Sequence, residues 1–377
     1  MSTLIATLEV LQSGDFQARW DAAKAISSFG EQAIAPLVKL LQDPGSDLEL
    51  QWVTARALGE FQHPDALMAL ATLLCTTEDD EISEIAAETL GSMGAAAIPA
   101  LAEYLYHHQA TLPAVQALAC IRDAGTIPLL LQLAEHQQAE IRAAAMEALS
   151  AFHRPQVLPA LTQALGDPNP DVRQIAVMGL GYRSLEPETV AMIEPLLQDE
   201  SVLVCQQAAL ALGRLGVAHP LLERLTTDAP LLLKRTIIQA LGRMGDRQAL
   251  EHLQQALTLS AVEESIDLVR GVVDAIATHQ THQPFATQIL VEMLEQSQPP
   301  ILLQFIATAL GQLGQPEAME PLIGLLAQPD MGVKLHAISA LKQLRDCDVT
   351  ARLQALLEDD KVPQELVAGI TVALQEW

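Results

Sequence analysis

Asp167-Pro168-Asn169-Pro170-Asp171-Val172-Arg173-Gln174-Ile175-Ala176-Val177-Met178-Gly179-Leu180-Gly181 is followed, after a short apolar stretch, by Asp199-Glu200-Ser201-Val202-Leu203-Val204-Cys205-Gln206-Gln207-Ala208-Ala209-Leu210-Ala211-Leu212-Gly213. Laid over one another, the two runs agree column by column. An acidic turn comes first, then Val172 or Val204, then Ala176 or Ala208, then Leu180 or Leu212. These apolar positions recur every three or four residues, the spacing of one helix face. Between the runs, Ile193, Leu196 and Leu197 mark a second helix. One unit is therefore a helix, a turn, a second helix and a stop.

The unit recurs along the chain. Its motif residue falls at Ile26, Leu58, Leu90, Leu118, Leu149, Leu180, Leu212, Leu241, Ile276, Leu310, Leu341 and Leu374, a mean period of about 32 residues. Coiled-coil heptads and propeller blades have other periods. Eight residues before the motif stand Ile82, Ile141, Val172, Val204, Leu233 and Leu268; four before stand Ala22, Ala86, Ala145, Ala176 and Ala208. Both columns share one helix face, and the small alanines let helix axes approach closely. Gly30, Gly94, Gly216, Gly245 and Gly314 come just after this face, where a left-handed residue ends a helix. Second helices are expected at 34–41, 66–74, 98–105, 127–133, 157–165, 193–197, 221–225, 250–257, 289–294, 319–326 and 353–357. Proline in their first turns, as at Pro128 and Pro159, fits a position where an N–H has no helical partner. The expected fold is all-α: a right-handed α-solenoid of about 12 hairpins in one array over 1–377, with irregular units near 104–113 and 258–300.

Composition narrows the function. The chain has 377 residues and a net charge of −26. A field of that sign repels phosphate backbones, so nucleic-acid binding is not expected. No apolar run reaches the roughly 20 residues of a membrane span, and no basic segment precedes an apolar core at the N-terminus. The scattered Cys75, Cys120, Cys205 and Cys347 do not form a disulfide framework. A cytoplasmic protein is expected.

A basic column seven before the motif, Arg19, Arg142, Arg173, Lys234 and Lys334, lies at the helix start. Its expected role is structural, bonding acids and carbonyls of the turn between units. Catalytic signatures are missing: no Gly-x-Ser-x-Gly turn, no phosphate-binding glycine motif and no His-Glu dipeptide. The cysteines fall in different units and cannot meet at one cluster. No metal site within the chain is expected, and Cys120, Cys75 or Cys205 could serve only as a thiol shared with a partner. Trp20 and Trp52 hold one column in adjacent units. With Tyr104, Tyr106 and His107 they form the expected partner-binding surface.

The pattern, best seen at Asp167–Gly181, resembles the HEAT-like repeats of cyanobacterial phycobilin lyases. The resemblance implies the fold strongly and the activity weakly. Two families follow from it. Asp15–Lys24 and Cys205–Gly216 resemble a cyanobacterial HEAT-repeat protein tied to iron–sulfur assembly through an A-type carrier. That implies a non-enzymatic scaffold with no intrinsic cofactor, sharing an iron–sulfur cluster with its partner. The alternative is an E/F-type lyase or bilin chaperone, which implies an antenna subunit as partner.

Overall fold

The apolar columns become buried helix faces. The computed structural model describes residues 3–107, 111–183, 187–257, 259, 265–279, 281–294, 299–344 and 348–376, and all regular structure among them is helical. Contacts divide the chain into two units, Met1–Arg183 and Ser184–Trp377.

In the first unit, Leu4–Ser13 precedes first helices at Phe16–Ile26, Leu48–Leu58, Asp80–Ser92, Leu112–Cys120, Ala139–Ser150 and Pro170–Gly181. Second helices alternate with them at Ile34–Gln42, Pro64–Thr76, Ile98–His107, Ile127–Leu133 and Leu158–Ala164. In the second unit, first helices are Val202–Arg214, Leu231–Gly242, Ile266–Ala277, Pro300–Leu313, Met331–Leu341 and Gln364–Gln375. Its second helices are Pro187–Ile193, His219–Leu225, Arg247–Leu257, Gln283–Leu294, Met319–Leu325 and Val349–Leu357. Within each unit, successive first helices pack side by side, as Leu48–Leu58 does on Asp80–Ser92 and Pro300–Leu313 on Met331–Leu341. Each second helix packs on the first helix that follows it, as Ile34–Gln42 does on Leu48–Leu58.

The motif residues from Ile26 to Leu341 are at most 1% exposed. Burying one such side chain contributes about 2 kcal/mol. Next to this column the helices pass close. A Cβ built on Gly213 would lie 2.8 Å from the Ala240 Cβ, and one on Gly311 would lie 2.8 Å from the Ala340 Cα. Acidic residues cap the helix starts: Asp15, Asp47 and Asp79 accept from the Ala18, Leu50 and Ile82 amides at 2.9, 2.7 and 3.1 Å. This satisfies amides that the helix leaves free and suits its dipole.

Two expectations need correction. In the last helix, Gln364–Gln375, the buried residues are Gly369, Ile370 and Ala373, with Leu374 only half-buried. The motif column there runs through Ala373. The second helix expected at 193–197 is Pro187–Ile193, and Glu194–Gln198 continues as a 3₁₀ turn. Pro195 lacks the N–H that would extend the α-helix.

The stop glycines Gly30, Gly94, Gly216, Gly245 and Gly314 all have positive φ, from 61° to 74°. Gly314, at φ 63° and ψ 24°, closes Pro300–Leu313 through its amide to the Leu310 carbonyl. A side chain in this conformation costs about 1 kcal/mol. Gly314→Ala is therefore expected to lower stability by about that much in urea unfolding. Gly324→Ala lies within Met319–Leu325 with open space around its Cβ. It should leave stability unchanged or raise it by up to about 1 kcal/mol.

Candidate binding surfaces

The basic column builds a ladder along the turns of the first unit. Arg142 donates from Nε and Nη2 to the two carboxylate oxygens of Asp167, both at 2.8 Å. Its Nη1 reaches the His136 and Gln137 carbonyls at 2.8 and 2.9 Å. One repeat on, Arg173 donates to the Asp167 carbonyl at 2.8 Å. Asp167 thus joins two rungs, side chain to one and main chain to the other. Arg19 does the same at the N-terminal end, bidentate to Asp47 at 2.8 and 3.0 Å and bonded to Glu49 and the Gln12 carbonyl. The fork of guanidinium N–H groups suits such a turn, with several acceptors in one plane. Lys234 and Lys334 hold the same column but make no side-chain hydrogen bond or ion pair among the described residues.

The charges respond to this packing. The hydrogen bond to Asp47 raises Arg19, and the same bond, with the Leu50 amide, lowers Asp47. Burial pushes the Asp167 carboxyl up, but the Arg142 fork and the Asn169 amide outweigh it and hold the carboxyl below its usual range.

The cysteines divide. Cys205 takes the place of a rung and donates from Sγ to the Asp199 carbonyl at 3.1 Å. It is 3% exposed, and burial raises its thiol. It is therefore withdrawn from the set of thiols that a partner could share. Cys120 is exposed at the end of Leu112–Cys120, its Cβ close to Gly91. The side chains of Cys75 and His107, and all of Cys347, lie outside the described residues. Among the described residues, no group of three or more His, Cys, Asp or Glu could hold a metal ion.

The aromatics do not share one surface. Trp20 and Trp52 stack with centroids 5.7 Å apart, and Phe16 lies 6.5 Å from Trp52. Lys24 stands 4.8 Å above the Trp20 ring, and Arg56 lies about 6 Å from both indoles. All belong to first helices. Phe16 and Leu48 are more than half exposed and edge a cleft of about 360 Å³ rimmed by Glu49, Asp79 and Glu81. Tyr104 and Tyr106 sit on a second helix. Tyr104 is 5% exposed with its hydroxyl 3.3 Å from Thr111 Oγ1, so it is core and not surface. Of these two tyrosines, Tyr106, 85% exposed, faces outward.

A cleft of about 750 Å³, absent from the expected sites, opens in the first unit. Its apolar walls are Leu131 and Ala134 on one side and Pro159, Ala160 and Ala164 on the other. Glu135, His136, Gln163 and the Arg142–Asp167 pair supply the polar groups. The signal was present: Pro128 and Pro159 mark equivalent first turns of neighbouring second helices, which must flank one groove.

Known proteins agree with this architecture. The family description "HEAT repeats" matches residues 44–113, 109–169, 158–230 and 287–374, most of the chain. The chain belongs to the HEAT-repeat family. Within this HEAT-repeat protein, residues 18–43 and 233–258 match "PBS lyase HEAT-like repeat". A relative from Pseudanabaena tenuis (strain PCC 7409), the uncharacterized phycocyanin operon protein Z, is 27% identical over 153 residues, 38% of this chain and 76% of the relative. A crystal structure of importin beta, 11% identical, covers 99% of this chain and 62% of its own with a TM-score of 0.53, a likeness of fold alone. The complex of CpcE and CpcF of phycocyanin lyase from Nostoc sp. PCC7120 is 21% identical, covers 65% of this chain and 94% of its own, and has a TM-score of 0.29, too low to bear on function. Among the described residues no helix is long and apolar enough to cross a membrane.

Proposed function

We propose that this HEAT-repeat protein binds a phycobiliprotein subunit and handles its bilin, as a lyase subunit or a bilin chaperone. The observation that carries this is the relative from a phycocyanin operon, 27% identical over 153 residues. The two matches to phycobilisome-lyase repeats support it. The cleft of about 750 Å³ is the proposed seat for the bilin, which is substrate or cargo here. A linear tetrapyrrole needs apolar walls and a carboxylate for its pyrrole N–H groups. Leu131, Pro159 and Ala160 supply the first and Glu135 the second. Asp167 is engaged by Arg142 and is not free for this role. The stacked, half-buried Trp20 and Trp52 with the exposed Phe16 are the proposed contact for the subunit, since aromatics anchor protein interfaces.

The test is co-expression with a bilin-producing pathway and a phycocyanin subunit. Bilin colour should remain with the subunit or with this protein, and Glu135→Gln should lower the yield about tenfold, the loss of one charge-assisted hydrogen bond. Absence of colour on either protein would overturn the reading. An anaerobic pull-down in the same strain covers the other partner: recovery of an A-type carrier in place of a phycobiliprotein would favour the iron–sulfur scaffold, with Cys120 as its exposed thiol.

A further inference from the structure

The second unit carries a cationic groove that is at odds with the charge of the chain. Arg235 and Arg270 stand six residues before their motif residues Leu241 and Ile276. Trp20 and Trp52 hold this same column, so Arg235 and Arg270 project from equivalent places on neighbouring helices, about 10 Å apart. Together with Arg243 they wall a groove of about 450 Å³ between Leu231–Gly242 and Ile266–Ala277. Gly242 and Gly271 form part of its floor. Asp267 and Asp274 are its acids. Asp267 sits in the first turn of its own helix, where the dipole favours it, and Asp274 lies 3.6 Å from Arg270. Arg270 is further held over the Phe305 ring at 4.5 Å. Arg235 and Arg243 are exposed and have no ion pair or hydrogen bond from their side chains among the described residues. In a chain with 47 acids and 21 lysines and arginines, two unpaired arginines on one groove mark a place for an external anion.

Beyond the residues that line the groove, each wall helix exposes an apolar side chain at its start. Leu231 is 48% exposed one turn before Arg235, and Ile266 is 47% exposed one turn before Arg270. Both walls are helices with internally bonded backbones, so an extended strand would find no edge to pair with. A helix brings its own backbone satisfied and lays one face in the groove. Arg235 and Arg243 are eight residues apart, about 12 Å along the axis, two turns of a partner helix. A long polyanion such as nucleic acid is repelled by the net charge of −26. We propose that this groove binds an acidic amphipathic helix of a protein partner, with carboxylates two turns apart on Arg235 and Arg243 and an apolar residue between Leu231 and Ile266. This site shares no residue with the bilin cleft and stands without that reading.

The probe is a labelled synthetic helix with Glu at positions i and i+7 and Leu one turn before the first, followed by fluorescence anisotropy with the full chain at about 0.15 M salt, where screening reaches about 8 Å. Saturable binding is expected. The Gln-for-Glu peptide should bind at least tenfold more weakly, as should the acidic peptide to Arg235→Glu/Arg243→Glu. Lys361→Glu, an exposed cation elsewhere, should retain full affinity. The peptide exchange keeps the test valid if the double variant folds poorly. No saturation at about 1 mM peptide, or equal binding of the Gln peptide, or full binding by the well-folded double variant, overturns the proposal.

Discussion

Arg142→Ala is expected to lower stability by about 3 kcal/mol at pH 7. The Arg142 and Asp167 side chains are only 13% and 10% exposed and meet through two bonds of 2.8 Å. Removing one member of a buried pair leaves the other charge desolvated and alone, a loss of about 3–5 kcal/mol. Here the pair edges an open cleft, which sets the lower end. The pH dependence identifies the cause. In the folded chain the Asp167 carboxyl is held below its usual value. Its contribution is therefore complete above the unfolded value of about 3.9 and is lost as pH falls through the lower folded value. Without Arg142 that lowering is lost, and so is the pH-dependent part of the stability it carries. The gap between wild type and variant should be constant from pH 7 to about 5 and shrink as pH falls below about 4 in urea unfolding. Arg352→Ala, which breaks the exposed Arg352–Glu320 pair, is the control and should change little. A pH-independent gap, or one below about 1 kcal/mol, would remove the ladder as a source of stability.

Periodicity made most of this fold legible. Columns three and four residues apart located the buried faces because a helix in a stacked array has one direction in which to bury them. Tyr104 illustrates the limit within a helix: three residues after the fully buried Leu101, it continues the apolar stripe, and that spacing places it inside while Tyr106 points out. Residue class alone does not separate the two. The basic column was legible as a turn ladder where it holds arginine, whose planar fork reaches several acceptors. Lysine in the same column lacks the fork, and sequence position does not distinguish the two. Surfaces were harder to read, since clefts form between residues about 32 apart and no local pattern selects which neighbouring columns stay open. The last hairpin slipped by one residue because Ala373 and Leu374 are both apolar. Only the partner across the interface tells which is inside.

Gly369→Ala should detach this last helix. A Cβ on Gly369 would lie 2.0 Å from the Leu326 carbonyl oxygen and 2.7 Å from its carbon. With Ala373 as the motif residue, Gly369 falls in the column that Ala22, Ala86 and Ala145 occupy elsewhere, four residues before. Here even alanine is too large, because Gln364–Gln375 crosses the end of Met319–Leu325 at its carbonyl. Two effects compete. Glycine to alanine inside a helix ordinarily stabilises by about 1 kcal/mol. Overpacking opposes it by about 1–3 kcal/mol or more, and a backbone carbonyl cannot rotate aside as a side chain can. The clash wins, with an expected net loss of about 3 kcal/mol. Since repeats depend on their neighbours, the damage should stay local. Amide exchange should accelerate across Gln364–Gln375, where Ile370 and Ala373 lose their cover, while Val202–Arg214 stays protected. If the variant instead gains stability with unchanged exchange at Gln364–Gln375, the helix does not pass this close to Leu326. Propensity alone would then decide the sign.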